Sequence, residues 1–234
     1  MNKGFSILEG VIGMFLFLLI IVFCMECFSQ TKKHFLKLKL SEESNTAVYA
    51  ALDRMWRDIQ DAGLGILEPM RQEILEGVCV KDKALVVMSR EAELVPSTEL
   101  YAGQQRIAVK YTALIKKGKF ICLFDSSRGE VHRIVSADRE SIVLDSPLHF
   151  GYAQEMGKMV LMRRIVLYLD ENHGVIRRKV NSSPAQPLLD EVAYFNLDYS
   201  TGSNLARISL KLQKNQEKGY EICVFPKNTA MASY

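Results

Sequence analysis

Between Phe5 and Ala62 the chain contains no proline, and within that stretch Val11 to Met25 is uninterrupted apolar sequence. Only Gly10 and Gly13 loosen the first turns. A segment of this kind predicts one long helix, on the order of 85 Å at a rise of 1.5 Å per residue. Its first half has the character of a segment that spans or leans in a bilayer. Glu9 interrupts that character near the start. An ionised carboxylate at the centre of a membrane helix costs roughly 2.5 to 3.5 kcal/mol, so an acid in such a segment signals function and a partner. Glu9 lies nearer the edge, where the cost is smaller, yet a plain anchor has no need of it.

The second half of the helix turns amphipathic. Val48, Leu52, Met55, Ile59 and Ala62 recur at the four-three-four-three spacing of a buried stripe, and Asp53, Arg54, Arg57, Asp58 and Asp61 are expected to face elsewhere. Gly63 and Gly65 then supply a helix stop, with Pro69 beyond it. Between the halves, Lys32 to Lys39 and Ser41-Glu42-Glu43-Ser44-Asn45 admit either a bend or a solvated continuation of the helix.

Beyond residue 70 the period shortens from helix to strand. Branched and aromatic runs predict strands over 84–89, 106–114, 120–125, 130–135, 141–144, 159–170, 175–180, 192–200, 207–214 and 220–225. Lys117-Gly118, Ser127-Arg128-Gly129 and Asn172-His173-Gly174 read as turns between them. Connections that short imply antiparallel pairing. The alternation of Tyr194, Phe195 and Tyr199 reads as a core pattern rather than a ligand platform.

The N-terminal residues Met-Asn-Lys-Gly, followed by Phe5-Ser6-Ile7-Leu8-Glu9 and the apolar run, resemble the class III signal of type IV prepilins and type II secretion pseudopilins. The resemblance implies that a prepilin peptidase cuts between Gly4 and Phe5 and methylates the new terminus at Phe5. It also implies that Glu9 becomes position five of the mature chain and registers one subunit on the next. Elementary electrostatics is compatible with that role, because a neighbour's terminal ammonium would offset part of the desolvation cost of a buried carboxylate. A secretory signal would instead need a small-residue cleavage site after its apolar run. Here the run is followed by Glu26-Cys27-Phe28-Ser29-Gln30. Counted alone, Lys32, Lys33, Lys37 and Lys39 against Lys3 favour a cytoplasmic C-terminal side. The resemblance implies the opposite, with the globular part exported.

A second set of residues is similar to PilW-type minor pilins and J-type minor pseudopilins. It comprises the helix end Ala51-Leu52-Asp53-Arg54-Met55-Trp56-Arg57-Asp58-Ile59-Gln60-Asp61-Ala62-Gly63, the runs 165–170, 174–178, 188–199 and 206–212, and the ending Phe225-Pro226-Lys227-Asn228. The expected fold is α+β and pilin-like, with a long N-terminal helix packed on an antiparallel β-sheet domain. The expected divisions are a leader at 1–4, a transmembrane and polymerisation helix at 5–28, its amphipathic continuation at 29–63, and a β-rich globular domain at 64–234. The implied partners are the prepilin peptidase, an inner-membrane assembly platform, sibling minor pilins, the major pilin or pseudopilin, and membrane lipid. The implied location is the inner membrane, with a periplasmic C-terminal domain, and then the fibre. Near its tip, the subunit would prime assembly.

Length and charge bound the rest. With 234 residues the chain holds one anchor and one domain of ordinary size, and 30 basic against 27 acidic residues leave no strong footprint for nucleic acid. Of five cysteines, Cys24 and Cys27 stand one helical turn apart at the end of the apolar run, and Cys79, Cys122 and Cys223 permit at most one bridge. No nucleophile motif, phosphate-binding glycine loop or zinc-spaced cluster is present. His34, His132, His149 and His173 are scattered and read as surface or satisfied polar residues. Asp125-Ser126-Ser127-Arg128 and Asp198-Tyr199-Ser200 lack EF-hand spacing. No enzyme activity, metal or cofactor is therefore expected. Two rival readings are a membrane-anchored periplasmic binding or adhesion protein that enters no fibre, in which Glu9 would be dispensable, and a membrane-bound enzyme, which would need a pocket of converging polar groups.

Overall fold

The computed structural model describes residues 7–110, 115–153 and 157–232. Its elements in chain order are α1 (Ile7–Gln60), α2 (Leu67–Arg71), β1 (Val78–Lys81), β2 (Ala84–Leu94), β3 (Arg106–Ala108), β4 (Phe120–Phe124), β5 (Gly129–Ala137), β6 (Ser141–Leu144), β7 (Lys158–Asp170), β8 (Val175–Val180), β9 (Gln186–Leu189), β10 (Val192–Ser200), β11 (Leu205–Leu212), β12 (Asn215–Val224) and α3 (Lys227–Ala230). The fold is α+β, with a long N-terminal helix whose end packs against antiparallel sheets. Two compact units divide at Ala50/Ala51, inside α1.

In the first unit α1 is continuous through the charged stretch, so Lys32 to Asn45 extend the helix rather than break it. From Ile7 to Phe28 its large apolar side chains are exposed. The helix is long and apolar enough to cross a membrane, and none of its apolar window is buried.

In the second unit the stripe behaves as its spacing predicts: Leu52, Met55, Ile59 and Ala62 are all buried. Asp58 departs from expectation. It is buried rather than facing solvent, at 2% exposure. The helix stops at Gly63, whose φ of 75° is the left-handed conformation that glycine adopts at little cost. The chain then joins the sheet at once, because the Gly63 N–H donates to the Met88 carbonyl at 2.8 Å and the Arg90 N–H donates to the Leu64 carbonyl at 2.8 Å.

A nine-stranded antiparallel sheet is organised around β7. One edge of β7 pairs with β2. The other is shared, β4 taking residues 158–162 and β8 taking 165–170. Such sharing requires a long strand, and β7 has 13 residues. Beyond β4 lie β5, β6 and β3, while β9 pairs with β8. Ile107, Ile121, Ile134, Ile142, Leu144 and Leu161 are all fully buried in one hydrophobic cluster. A separate three-stranded sheet, β10-β11-β12, presents Ala206, Ile208, Leu210 and Leu212 as one buried row with Tyr220 and Val224 opposite. On β10, however, only Val192 is buried, and Tyr194 is exposed, so the aromatic alternation there is not a core pattern.

The C-terminal segment closes the helix end. The last carbonyls of any helix lack intrahelical partners. Here the Asn228 side-chain amide donates to the Ala62 carbonyl at 3.1 Å and to the Gln60 carbonyl at 3.4 Å. Its loop is fastened by buried Asn204, which donates to the Pro226 carbonyl at 3.0 Å and accepts from the Tyr199 and Thr229 hydroxyls at 2.7 and 2.6 Å. Replacing Asn228 with alanine should cost about 0.5–1.5 kcal/mol of stability, measured by denaturant unfolding, because the Gln60 carbonyl and the Ala62 carbonyl just past the helix lose a donor.

Candidate functional site

Gly4 and Phe5 lie outside the described residues. Glu9 sits in the first turn of α1 and is exposed, among the exposed side chains of Ile7, Leu8, Val11 and Ile12. An acid in a helix's first turn is favourably placed relative to the partial positive charge of its N-terminus. The expected signal residues are thus sequential, and Glu9 alone is open to structural description.

Within the β-rich unit, two polar arrangements join residues that are far apart in sequence. The first is the Asp58–Arg178 pair. On β8 the alternation buries Ile176 and Arg178 on one face. The Arg178 guanidinium meets the Asp58 carboxylate with both arms, Nε to Oδ2 at 2.5 Å and an outer nitrogen to Oδ1 at 2.9 Å. Both side chains are almost fully buried, at 7% and 3% exposure, so the pair is screened little by solvent. Arg54, one turn back on α1, adds a longer contact to the same carboxylate at 3.8 Å.

The second arrangement is centred on Glu130 of β5. Alternation on β5 turns Glu130, His132 and Ile134 to the buried side. Glu130 lies opposite Leu123 and His132 opposite Ile121, at the margin of the hydrophobic cluster. The loop after β6 then folds over them. Glu130 Oε2 accepts from His132 Nε2 at 2.8 Å, from the His149 N–H at 2.9 Å and from His149 Nδ1 at 3.1 Å. Oε1 accepts from the Tyr152 hydroxyl at 3.1 Å and the Phe150 N–H at 3.2 Å. Burial by itself raises the pKa of Glu130, but donation from the His149 N–H, the two imidazoles and the Phe150 N–H outweighs it and holds the carboxyl below its ordinary range. Burial and the neighbouring Glu130 charge push the Tyr152 hydroxyl up, so it remains protonated and can donate.

In sequence the four histidines are scattered, each expected as a surface or satisfied polar residue. His132 is indeed a satisfied buried residue, whereas His149 is an exposed member of the same cluster. The parity of Glu130 and His132 with Ile134 was a usable signal, since polar residues at inward positions of a strand require partners. Nothing in the spacing pointed to His149.

The other oxygen-rich segment is a turn. Asp125 Oδ1 accepts from the Ser127 N–H, the Ser127 hydroxyl and the Arg128 N–H at 2.8, 2.9 and 3.0 Å, so its carboxylate is engaged locally. All five cysteines are free thiols. Burial pushes the Cys122 thiol up to about 12, which makes it unreactive in the folded protein.

No protein-family profile matches the chain, and no curated protein matches it. Solved structures with local similarity include the Gp54 tailspike of Acinetobacter baumannii bacteriophage AP22, at 11% identity and a TM-score of 0.30 over 33% of this chain. The tailspike protein gp49 from Pseudomonas phage LKA1 matches at 16% identity and a TM-score of 0.27 over 30%. The phage phi92 endosialidase matches at 8% identity and a TM-score of 0.20 over 60%. The chain spans 15%, 14% and 33% of their respective lengths. Similarity of this extent carries no argument about fold or function.

Proposed function

We propose that the chain is a minor pilin or pseudopilin subunit: it is cut after Gly4, methylated at Phe5, held in the inner membrane by α1 with its β-rich part in the periplasm, and built into a fibre near the tip. The observation that carries the reading is the N-terminal order of residues. A short basic leader, Gly4, an aromatic at Phe5 and a single acid at Glu9 precede a long apolar run. The exposed apolar surface of α1 supports it, since such a surface requires lipid or neighbouring helices to cover it. The α+β layout is compatible with it. In a fibre, the ammonium of a processed Phe5 would be the counter-charge for Glu9 of an adjoining subunit.

Substitution of Glu9 tests the reading against a simple anchor. Glu9→Gln keeps the shape of the side chain and removes the charge. In the native cell, the variant is expected to accumulate at wild-type levels in the membrane fraction and to be absent from sheared fibres. Undiminished recovery in fibres would overturn the registration role of Glu9, and full function with neither parent nor variant in fibres would leave the anchored binding or adhesion protein.

A further inference from the structure

We propose that Glu130, His132 and His149 form a binding site for one divalent transition-metal ion, with Zn²⁺ the ion their chemistry suits best. The inference is independent of the fibre reading and rests on geometry within the β-rich unit. One ligand atom from each of Glu130, His132 and His149 lies within 4.8 Å of the other two, and the nitrogens that face Glu130 Oε2 are His132 Nε2 and His149 Nδ1. It is the one such cluster of histidine, cysteine and acidic side chains among the described residues.

Two imidazoles and one carboxylate are a known zinc ligand set, with bonds of roughly 2.0–2.2 Å and a fourth position left to water. Tetrahedral bonds of that length place ligand atoms about 3.3 Å apart. The Glu130 oxygen already stands 2.8 Å from one ring nitrogen and 3.1 Å from the other, and the three ligand atoms span no more than 4.8 Å, so binding needs those two contacts to open by a few tenths of an ångström and the two rings to settle at the same spacing.

Further contacts preset the ligands. Three donors hold Glu130 without involving either ring: the N–H groups of His149 and Phe150 and the Tyr152 hydroxyl. On the far side of His132, Nδ1 stands 3.0 Å from the Ser146 hydroxyl and 3.5 Å from the Asp145 carboxylate. The Ser146 hydroxyl is thus the hydrogen-bond partner that orients the ring, as an outer partner does for a metal-bound histidine, with the Asp145 carboxylate as a longer charge contact. Against ionised Glu130, His132 carries its proton on Nε2, because a carboxylate only accepts. When the metal binds, the proton resides on Nδ1 and is donated to Ser146 or Asp145, and the Nε2 lone pair goes to the metal. His149 likewise ligates through Nδ1 and keeps a proton on Nε2, towards solvent. No electron changes hands. Glu130 and His132 are buried while the His149 side chain is 72% exposed, so the metal approaches from the solvent side and the open position faces water.

The test uses the full chain in detergent, stripped with a chelator, with Cys24, Cys27 and Cys223 replaced by serine so that exposed thiols do not compete. Calorimetric titration with Zn²⁺ is expected to give one site per chain. Removing an outer partner of a metal-bound histidine weakens affinity roughly 10- to 100-fold, so Ser146→Ala should fall in that range and His149→Ala should lose at least as much. His173→Ala, at an exposed histidine outside the cluster, should bind as the parent does. Co²⁺ in place of Zn²⁺ should give the visible absorption of a tetrahedral site in the parent and not in His149→Ala. Circular dichroism checks that His149→Ala is folded, as its exposure predicts. If parent and His149→Ala bind Zn²⁺ equally, or neither binds, Glu130 and the two histidines are a hydrogen-bond network only and the proposal is overturned.

Discussion

Asp58→Ala is expected to destabilise the β-rich unit by about 3–5 kcal/mol, since it strands the Arg178 guanidinium in a buried site with no carboxylate. The bidentate geometry and the near-complete burial of both partners make this a large effect rather than a surface one. Domains are typically stable by only about 5–15 kcal/mol, so the loss is a substantial share of the total. For a unit of this size it corresponds to a melting temperature lower by roughly 6–20 °C. Trp56, the only tryptophan, lies two residues from Asp58 on α1 and provides a fluorescence probe of the helix end. Arg178→Ala should be similarly damaging from the other side. The double variant Asp58→Leu/Arg178→Met is expected to be less destabilised than either single variant, because an apolar pair leaves no buried charge. A cost below about 1 kcal/mol for Asp58→Ala would mean that the pair is solvated in solution, like an exposed ion pair.

Leu161→Ala carries the second large effect, expected at about 2–5 kcal/mol. Leu161 is fully buried on β7, between Ala92 of β2 and Ile121 of β4. Sheet neighbours constrain it on both edges, so the surrounding structure has little freedom to collapse into the space left behind. Leu161→Met nearly conserves volume and should cost less than about 1.5 kcal/mol. Urea denaturation of the two variants separates cavity formation from a general intolerance of substitution at this strand. Equal losses in both would argue against the packing explanation.

Much of this fold was legible from residue spacing, and the exceptions have physical causes. The helix stripe, the stop at Gly63 and strands 141–144, 175–180 and 192–200 coincide with their predicted ranges, because periodicity and turn residues agree there. β1 was missed, since Val78–Lys81 is short and lies against the turn Asp82-Lys83, whose positive φ values are not announced by a glycine. β9 was missed because Gln186-Pro187 reads as a turn, yet proline is tolerated where a strand forms an edge. The strand expected over 106–114 shortens to Arg106–Ala108, and residues 111–114 lie outside the described residues. Asp58 was misread because one helix cannot reveal a partner 120 residues away. The same limit hid His149, which reaches Glu130 only through the loop that follows β6. Local pattern encodes which face is buried. Which polar groups meet on that face depends on how distant elements pack, and both missed partnerships are of that kind, helix α1 with β8 and the loop after β6 with β5.

The reading of the N-terminus stands or falls with the chemical identity of the mature chain. Intact-mass measurement of the protein recovered from its native membranes, with sequencing of the N-terminal peptide, tests it most directly. The account predicts a chain lacking Met1 through Gly4 and beginning at Phe5, its terminal amine carrying one methyl group. A functional protein that still begins at Met1 and carries an unmethylated Phe5 would contradict it.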